Sequence, residues 1–289
     1  MSLQTHSIAW KRLADRWERF YRPPGRPSKS AIEVYKKFMK QGIMPKGKKP
    51  WVLILGSTPE LRTLAHSMGC TVLVADINEE FHYAMSSFVE SASQERFIES
   101  DWRNLPLNNA SIDIVLGDVV IQNIEFAAQD KFLQEMQRIL RPNGLFISKM
   151  EVLPNDWTFM SFDEALLEYA SCDVPVERMI EATCSIMNNS WDKRTNLISL
   201  QPVRKWMRKF ESPGGEFFHE NLILQSLLRA MWDFWQPMEK EWSFGFEKDL
   251  EKQIAPYFSI LQRSVLHDCF LSKIDKNFPI WLCRKNGPV

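Results

Sequence analysis

The sequence predicts a doubly wound α/β fold: a seven-stranded, mostly parallel sheet, with helices before its first strand and a helical insertion between strands five and six. Three observations predict it. Between residues 51 and 150, apolar runs of strand length alternate with helix-length segments, the rhythm of parallel strands joined by crossovers. The first of these runs, Val52-Leu53-Ile54-Leu55, passes directly into a glycine and a helix-initiating series, Gly56-Ser57-Thr58-Pro59-Glu60. After about a hundred residues of helical period, strand-like alternation returns at Phe258 to His267 and Phe278 to Arg284.

From Ile8 to Tyr21, Trp10, Leu13, Trp17 and Phe20 recur at spacings of three and four among Lys and Arg, which predicts an amphipathic helix. Pro23, Pro24, Gly25 and Pro27 stop it, and Ser30 with Glu33 reads as a capping box opening a second helix that ends near Gly42. Lys46 to Pro50 is a linker. Strands follow at Trp51 to Leu55, Thr71 to Ala75, Arg96 to Glu99, Ile112 to Leu116 and Leu145 to Ser148. Between them lie helices at Pro59 to Met68, Glu79 to Val89 and Ala128 to Leu140, the last turned into its strand by Arg141-Pro142-Asn143-Gly144. Beyond Met150 the period is helical, rich in Trp and Met, and broken at Ser212-Pro213-Gly214-Gly215. The organisation predicted is a helical cap over 1–50, an α/β domain over 51–150 and 258–289, and a helical insertion over 151–257 that covers the acceptor.

A chain of 289 residues, 45% hydrophobic and 25% charged, accommodates one elaborated globular domain and excludes disorder as the main theme. The formal net charge is zero, yet residues 1–50 carry thirteen Lys and Arg against three Asp and Glu, a local +10. Such a stretch is either a solvated helix surface or a basic arm for phosphates. Cys70, Cys172, Cys184, Cys269 and Cys283 form no Cys-x-x-Cys pair, which argues against a disulfide framework or metal site. No apolar stretch approaches the roughly 20 residues that span a bilayer, and no signal-like apolar region opens the chain. These features predict a cytoplasmic protein with no membrane contact and no metal.

The strand-to-helix turn carries the first chemistry. Gly56 allows close backbone approach, Thr58 suits the N-cap, Pro59 the first helical position and Glu60 the first turn, so the free amides there can meet an acceptor group, with Ser57 beside them. Asp76-Ile77 ends the next strand about twenty residues on, the spacing at which a carboxylate holds a ribose diol. Asp101-Trp102 follows the third strand, where the carboxylate can accept from an adenine amino group and the indole can cover the base. Gly117-Asp118 closes the fourth, and three roles are open to Asp118: holding an amino group, orienting an acceptor, or ending the strand.

The ordered series Leu55 to Leu61, Val74-Ala75-Asp76, Asp101 to Leu107, Ser111 to Asp118 and Leu140 to Gly144 resembles the class I, Rossmann-like S-adenosylmethionine-dependent methyltransferases. The resemblance covers residues 51 to 150 and resumes at 258 to 285. It implies that the first turn at Gly56 contacts the methionyl and ribose part of S-adenosylmethionine, that Asp76 binds the ribose hydroxyls and that Asp101 reads adenine, with S-adenosylhomocysteine as product. The chain departs from the family in a glycine-poor first turn, where Ser57, Thr58 and Pro59 stand, and that turn also argues against a dinucleotide.

After the fourth strand there is no Asn-Pro-Pro-aromatic run and no Pro-Cys, so methylation of exocyclic base or amide nitrogens and C5-pyrimidine chemistry are disfavoured. His219, in Phe217-Phe218-His219-Glu220, is either a general base or a packed structural residue, and with Asp118 it completes the catalytic candidates. Arg26 is placed to pair with a cofactor carboxylate if the N-terminal helices lie over the crevice. Trp232, Phe234, Trp235 and Trp242 read as core. A small-molecule acceptor is favoured. RNA or protein methylation, supported by the basic first fifty residues, and an inactive cofactor-binding protein are the alternatives. The oligomeric state is not legible.

Overall fold

The computed structural model describes residues 16–17, 21–42, 48–235 and 241–287, and most of the helix anticipated over Ile8 to Tyr21 lies outside them. The first described helix, α1 (Lys29–Met39), is capped by Ser28, whose hydroxyl accepts from the Ala31 amide. The box anticipated at Ser30 and Glu33 does not form. Ser30 already lies in the first turn, and its hydroxyl, like that of Ser28, donates to Asp268.

The sheet runs β3 (Arg96–Glu99), β2 (Thr71–Asp76), β1 (Trp51–Leu55), β4 (Ile112–Asp118), β5 (Leu140–Lys149), β9 (Ile280–Lys285), β8 (Phe258–Ser264). All neighbours are parallel except β9, which is antiparallel to both β5 and β8. The run Arg141 to Gly144, anticipated as a turn, lies inside β5. Asn143 sits at φ 61° and the register slips opposite Ile112 and Ile114, so a bulge accommodates Pro142, which has no N–H to give the ladder.

The inner strands are apolar on every residue because both faces are covered. Val52, Ile54, Val74 and Leu116 pack on α1 and α2 (Pro59–Ser67). Leu53, Leu55, Ala75 and Val115 face α4 (Gln129–Ile139) and α9 (Glu247–Ile254). Helix α3 (Glu79–Ser86) stops short of the anticipated Val89, where the Ser86 and Ser87 hydroxyls donate to the carbonyls of His82 and Ala84.

Between β5 and β8, helices α5 (Phe162–Leu167), α6 (Met179–Asn188), α7 (Leu200–Met207) and α8 (Leu222–Trp235) gather a third core around Met179, Ile186, Leu227 and Met231. The region also holds a two-stranded antiparallel sheet, β6 (Leu197–Ser199) with β7 (Glu241–Ser243), which the helical reading lacked. Strands of three residues are too short to show a period of two. Main-chain bonds tie the segment after β5 to the return of the chain: Leu153 N donates to Gly245 O, Glu247 N to Leu153 O and Val152 N to Asn277 O, each 2.9 Å.

Candidate active site

Strand order reverses between β1 and β4, so the loops leaving their carboxyl ends diverge and open a crevice. A cavity of about 220 Å³ fills it and runs on beneath α6 and the end of α8. Gly56, immediately after β1, has φ +80°, a conformation that a side chain would strain, and its amide donates to Ala75 O at 2.9 Å. Pro59 supplies the first turn of α2 with the φ it needs. The Thr58 hydroxyl makes no capping bond, which leaves the first amides of the helix for another acceptor.

Asp76 ends β2 and is nearly inaccessible. Its Oδ2 accepts from the Ser57 hydroxyl at 3.1 Å and its Oδ1 from the Asn78 amide at 3.1 Å. Burial pushes its carboxyl up to about 6 against those hydrogen bonds. Behind Ser57 stands His82, 3.4 Å from the hydroxyl and stacked on Phe97, with burial and then Arg62 bringing its imidazole down to about 4. The trio resembles a hydrolytic arrangement in composition only. With His82 neutral and Ser57 donating to the carboxylate, it fixes the orientation of Asp76.

Asp101 is held by Arg103, whose Nε, Nη2 and backbone amide all donate to it at 2.5 to 3.0 Å, and this keeps its carboxyl below the usual range. The Trp102 indole N–H donates to Ala75 O at 2.7 Å, and its ring passes 3.7 Å from where a Cβ on Gly56 would stand. Trp102 thus forms a wall over the glycine turn. At the tip of β4, Asp118 pairs with Lys149 Nζ at 2.9 Å, both side chains almost wholly buried, and Nζ also donates to Pro24 O at 2.6 Å. Burial raises the Asp118 carboxyl, opposed by Lys149.

Of the anticipated residues, Gly56, Ser57, Thr58, Asp76, Ile77, Asp101, Trp102 and Asp118 line the cavity, whereas Gly117, Glu60, Arg26 and His219 do not. Gly117 is a packing requirement: a Cβ there would meet Val120 at 2.6 Å, and its carbonyl accepts from the Tyr35 hydroxyl at 2.6 Å. Arg26, anticipated on a cofactor carboxylate, sits with its Nε 3.5 Å from Glu60 and its guanidinium over Trp17. Glu60, whose carboxyl burial raises, is therefore engaged behind the turn. His219 accepts from the Asn221 amide at 3.0 Å ahead of α8 and lies beside Phe210, a local structural arrangement.

Sequence reasoning did not single out Tyr21, Glu151 or Asn188, all of which line the cavity. Glu151 had a signal, being a carboxylate two residues past the apolar strand at the edge where ligands bind. The aromatic series divides: Trp232 and Phe234 pack in the third core, while Trp235 and Trp242 line the cavity, with Trp235 Nε1 donating to Thr183 Oγ1 at 3.0 Å. Asn188 is 1% exposed, and neither amide atom has a hydrogen-bond partner among the described residues. Leaving such groups unmet costs about 1–3 kcal/mol, which a ligand can recover.

Residues 55–148 match the family model described as methyltransferase domain. No curated protein sequence matches the chain. Among solved structures, a protein described as a Zn-dependent alcohol dehydrogenase from Rhodobacter sphaeroides is 15% identical with TM-score 0.60, covering 99% of this chain and 100% of its own. The CcbJ methyltransferase of Streptomyces caelestis is 9% identical with TM-score 0.58, covering 97% and 99%. The N-methyltransferase NodS of Bradyrhizobium japonicum, in complex with S-adenosyl-L-homocysteine, is 11% identical with TM-score 0.52, covering 98% and 100%. These similarities establish a shared fold.

Proposed function

We propose that the chain is a class I, Rossmann-like methyltransferase that uses S-adenosylmethionine, its methyltransferase domain at residues 55–148, and that its acceptor is a small molecule. The supporting observation is the single cavity that joins the Gly56 turn and Asp76 to an aromatic chamber under the insertion. We assign cofactor contacts to the turn amides at Gly56 to Thr58, to Asp76 for the ribose hydroxyls, and to Asp101 and the Trp102 backbone amide for the base. The residues suit such a ligand: a glycine at positive φ where backbone must approach it, and a buried, oriented carboxylate one strand away.

S-adenosylmethionine supplies an activated methyl on a sulfonium. The protein's part is to align the acceptor, keep water out and accept a proton where the acceptor releases one. Residues 151–257 act in this reading as the acceptor cap, with Trp17 and Tyr21 closing the N-terminal side. We propose a cytoplasmic setting, in keeping with five free cysteines. Among the described residues, no helix is long and apolar enough to cross a membrane, and no group of His, Cys, Asp and Glu is placed to hold a metal.

The test is S-adenosylhomocysteine release from the full-length enzyme over a panel of small aromatic and aliphatic acceptors, alongside bulk RNA and protein. Turnover on members of the small-molecule set, indifferent to salt, is expected. Transfer to RNA or protein alone, lost steeply as salt rises, would overturn the small-molecule assignment.

A further inference from the structure

Helix α6 turns one face to the chamber. Ile180, Thr183, Cys184, Met187 and Asn188 all line the cavity, and their spacing of three and four residues puts them on a single stripe of the helix. Along this stripe the Thr183 hydroxyl is fully engaged, donating to Met179 O at 2.8 Å and accepting from Trp235 Nε1 at 3.0 Å. Cys184 offers only a thiol, a weak donor. Asn188 is 1% exposed, and its Oδ1 and Nδ2 are both unmet. Among the described residues it is the one side-chain amide buried with both atoms unmet, since Gln122, Asn123 and Asn277 each donate through nitrogen and lack a partner on oxygen alone. The adjacent Asn189 accepts from the Met160 amide and donates to Ser185 O, each at 2.9 Å. The end of α6 can therefore satisfy a carboxamide from within, and does not do so for the one on the chamber stripe. Trp235 and Trp242, which line the same chamber, stand 6.0 Å apart between ring centroids at 81°. They form a corner in which a flat ring packs by face and by edge.

We propose that the acceptor is a small, flat molecule carrying a cis amide edge, a lactam or a primary carboxamide, and that Asn188 selects it by pairing with that edge. The inference rests on the chamber being the acceptor site. A side-chain carboxamide offers an N–H and its carbonyl oxygen along one edge, and the group that meets both at once is another N–H and C=O held side by side. Lactams and primary carboxamides have such an edge, whereas a trans secondary amide points its N–H and C=O in opposite directions. Turning the Asn188 amide over exchanges donor and acceptor and leaves a paired edge either way. A guest that supplies half of the pair strands the other half in the interior, which is how a site built around buried polar groups rejects an analogue lacking one. Asn188 acts in recognition, and the atom that takes the methyl lies elsewhere on the guest.

Three matched probes test this. 2-Quinolone carries the paired edge on a flat ring, N-methyl-2-quinolone has lost the donor, and acetanilide holds both groups in the trans arrangement. Each is titrated by calorimetry into the full-length enzyme with S-adenosylhomocysteine bound. 2-Quinolone should bind at least about tenfold more tightly than either analogue. In Asn188→Leu that preference should collapse to within about twofold, through weaker binding of 2-quinolone and not of the analogues, with S-adenosylhomocysteine affinity also within about twofold of the parent. A purely structural Asn188 would instead weaken all three probes alike and keep the preference, and that outcome overturns the proposal. Should Asn188→Leu fail to fold, Asn188→Ala reads the same preference, and the three probes on the parent enzyme still decide the guest. Equal binding of 2-quinolone and N-methyl-2-quinolone, tighter binding of acetanilide, or no binding of 2-quinolone while S-adenosylhomocysteine binds overturns the amide-edge proposal only. Failure of the parent enzyme to bind S-adenosylhomocysteine would remove the site assignment beneath it as well.

Discussion

At Asp76 the needs of folding and of the ligand binding proposed for it oppose each other. Burial raises the folded carboxyl to about 6, above its ordinary value near 3.9. Between those values the folded chain holds the proton more tightly than the unfolded one, so stability falls as pH rises through the interval and the cost is complete above it. Asp76→Asn should therefore melt higher than the parent at pH 7 and show less pH dependence from 4 to 7, as measured by thermal denaturation. It should also bind S-adenosylhomocysteine about 10- to 100-fold more weakly, since hydrogen bonds to a charged acceptor contribute about 1.5–3 kcal/mol. A variant that melts lower at pH 7, or binds the product as well as the parent, contradicts this account. Asn188→Leu separates stability from function in the same way. Removing an unmet buried amide should stabilise by about 1–3 kcal/mol while acceptor kcat/KM falls, and a loss of both would make Asn188 purely structural. Asp76 was legible because its spacing from Gly56 is a property of one strand–helix–strand unit. The Asp118 and Lys149 pair was not, because it depends on β4 and β5 ending side by side, and Asn188 was not, because an unmet amide exists only in the folded surroundings.

Between elements, one buried joint holds α2 and α3 to the sheet edge. Arg62 on α2 is fully buried. Its Nε and Nη2 donate to Glu95, ahead of β3, at 2.6 to 3.1 Å, and Nη2 also donates to the Ser86 hydroxyl at the end of α3. His66, one turn along α2, meets the same carboxylate at 3.0 Å. Removing one partner strands the other in the interior, at a cost of about 3–5 kcal/mol. Glu95→Ala should destabilise by that amount in chemical denaturation, and because α3 carries His82 behind Ser57, it should also weaken S-adenosylhomocysteine binding. A loss below about 1 kcal/mol, the range of an exposed pair, would show that the joint is wetter than its geometry implies. The strands Trp51–Leu55 and Arg96–Glu99 were legible to the residue, the first as an apolar run between Pro50 and Gly56, the second as an apolar pair between the charged Arg96 and Glu99. The start of β5 was not. Pro142, Asn143 and Gly144 spell a turn locally, and only the pairing of Leu140 and Leu145, on either side of them, with β4 draws them into a bulged strand.

For the molecule as a whole, the question is whether the third core under α6 and α8 folds with the sheet or apart from it. The cavity draws its walls from both: Asp76 and Asp118 from strand tips, Thr183 and Asn188 from α6, and Trp235 from α8. The Leu153, Gly245 and Glu247 bonds hold the entry and exit of residues 151–257 together against the sheet, and Leu153 is wholly buried. Glu181 on α6 reinforces the join by accepting from the Phe270 and Leu271 amides at 2.9 Å, beyond β8. Two cores sharing a main-chain staple and a ligand-sized interface should melt as one cooperative unit, so calorimetry should show a single transition. Ligand present at a hundred times its Kd adds about 2.7 kcal/mol to the folded state. At about 2 °C per kcal/mol for a chain of this size, S-adenosylhomocysteine should then raise the whole transition by about 5 °C. Separate folding predicts a different trace, with two transitions of which S-adenosylhomocysteine moves only the one belonging to Gly56 and Asp76. In that case the cap would close over the cofactor by docking, and acceptor affinity would depend on how often it is docked. A single shifted transition instead means that residues 151–257 fold with the sheet, so that the chamber proposed for the acceptor is shaped before any acceptor arrives.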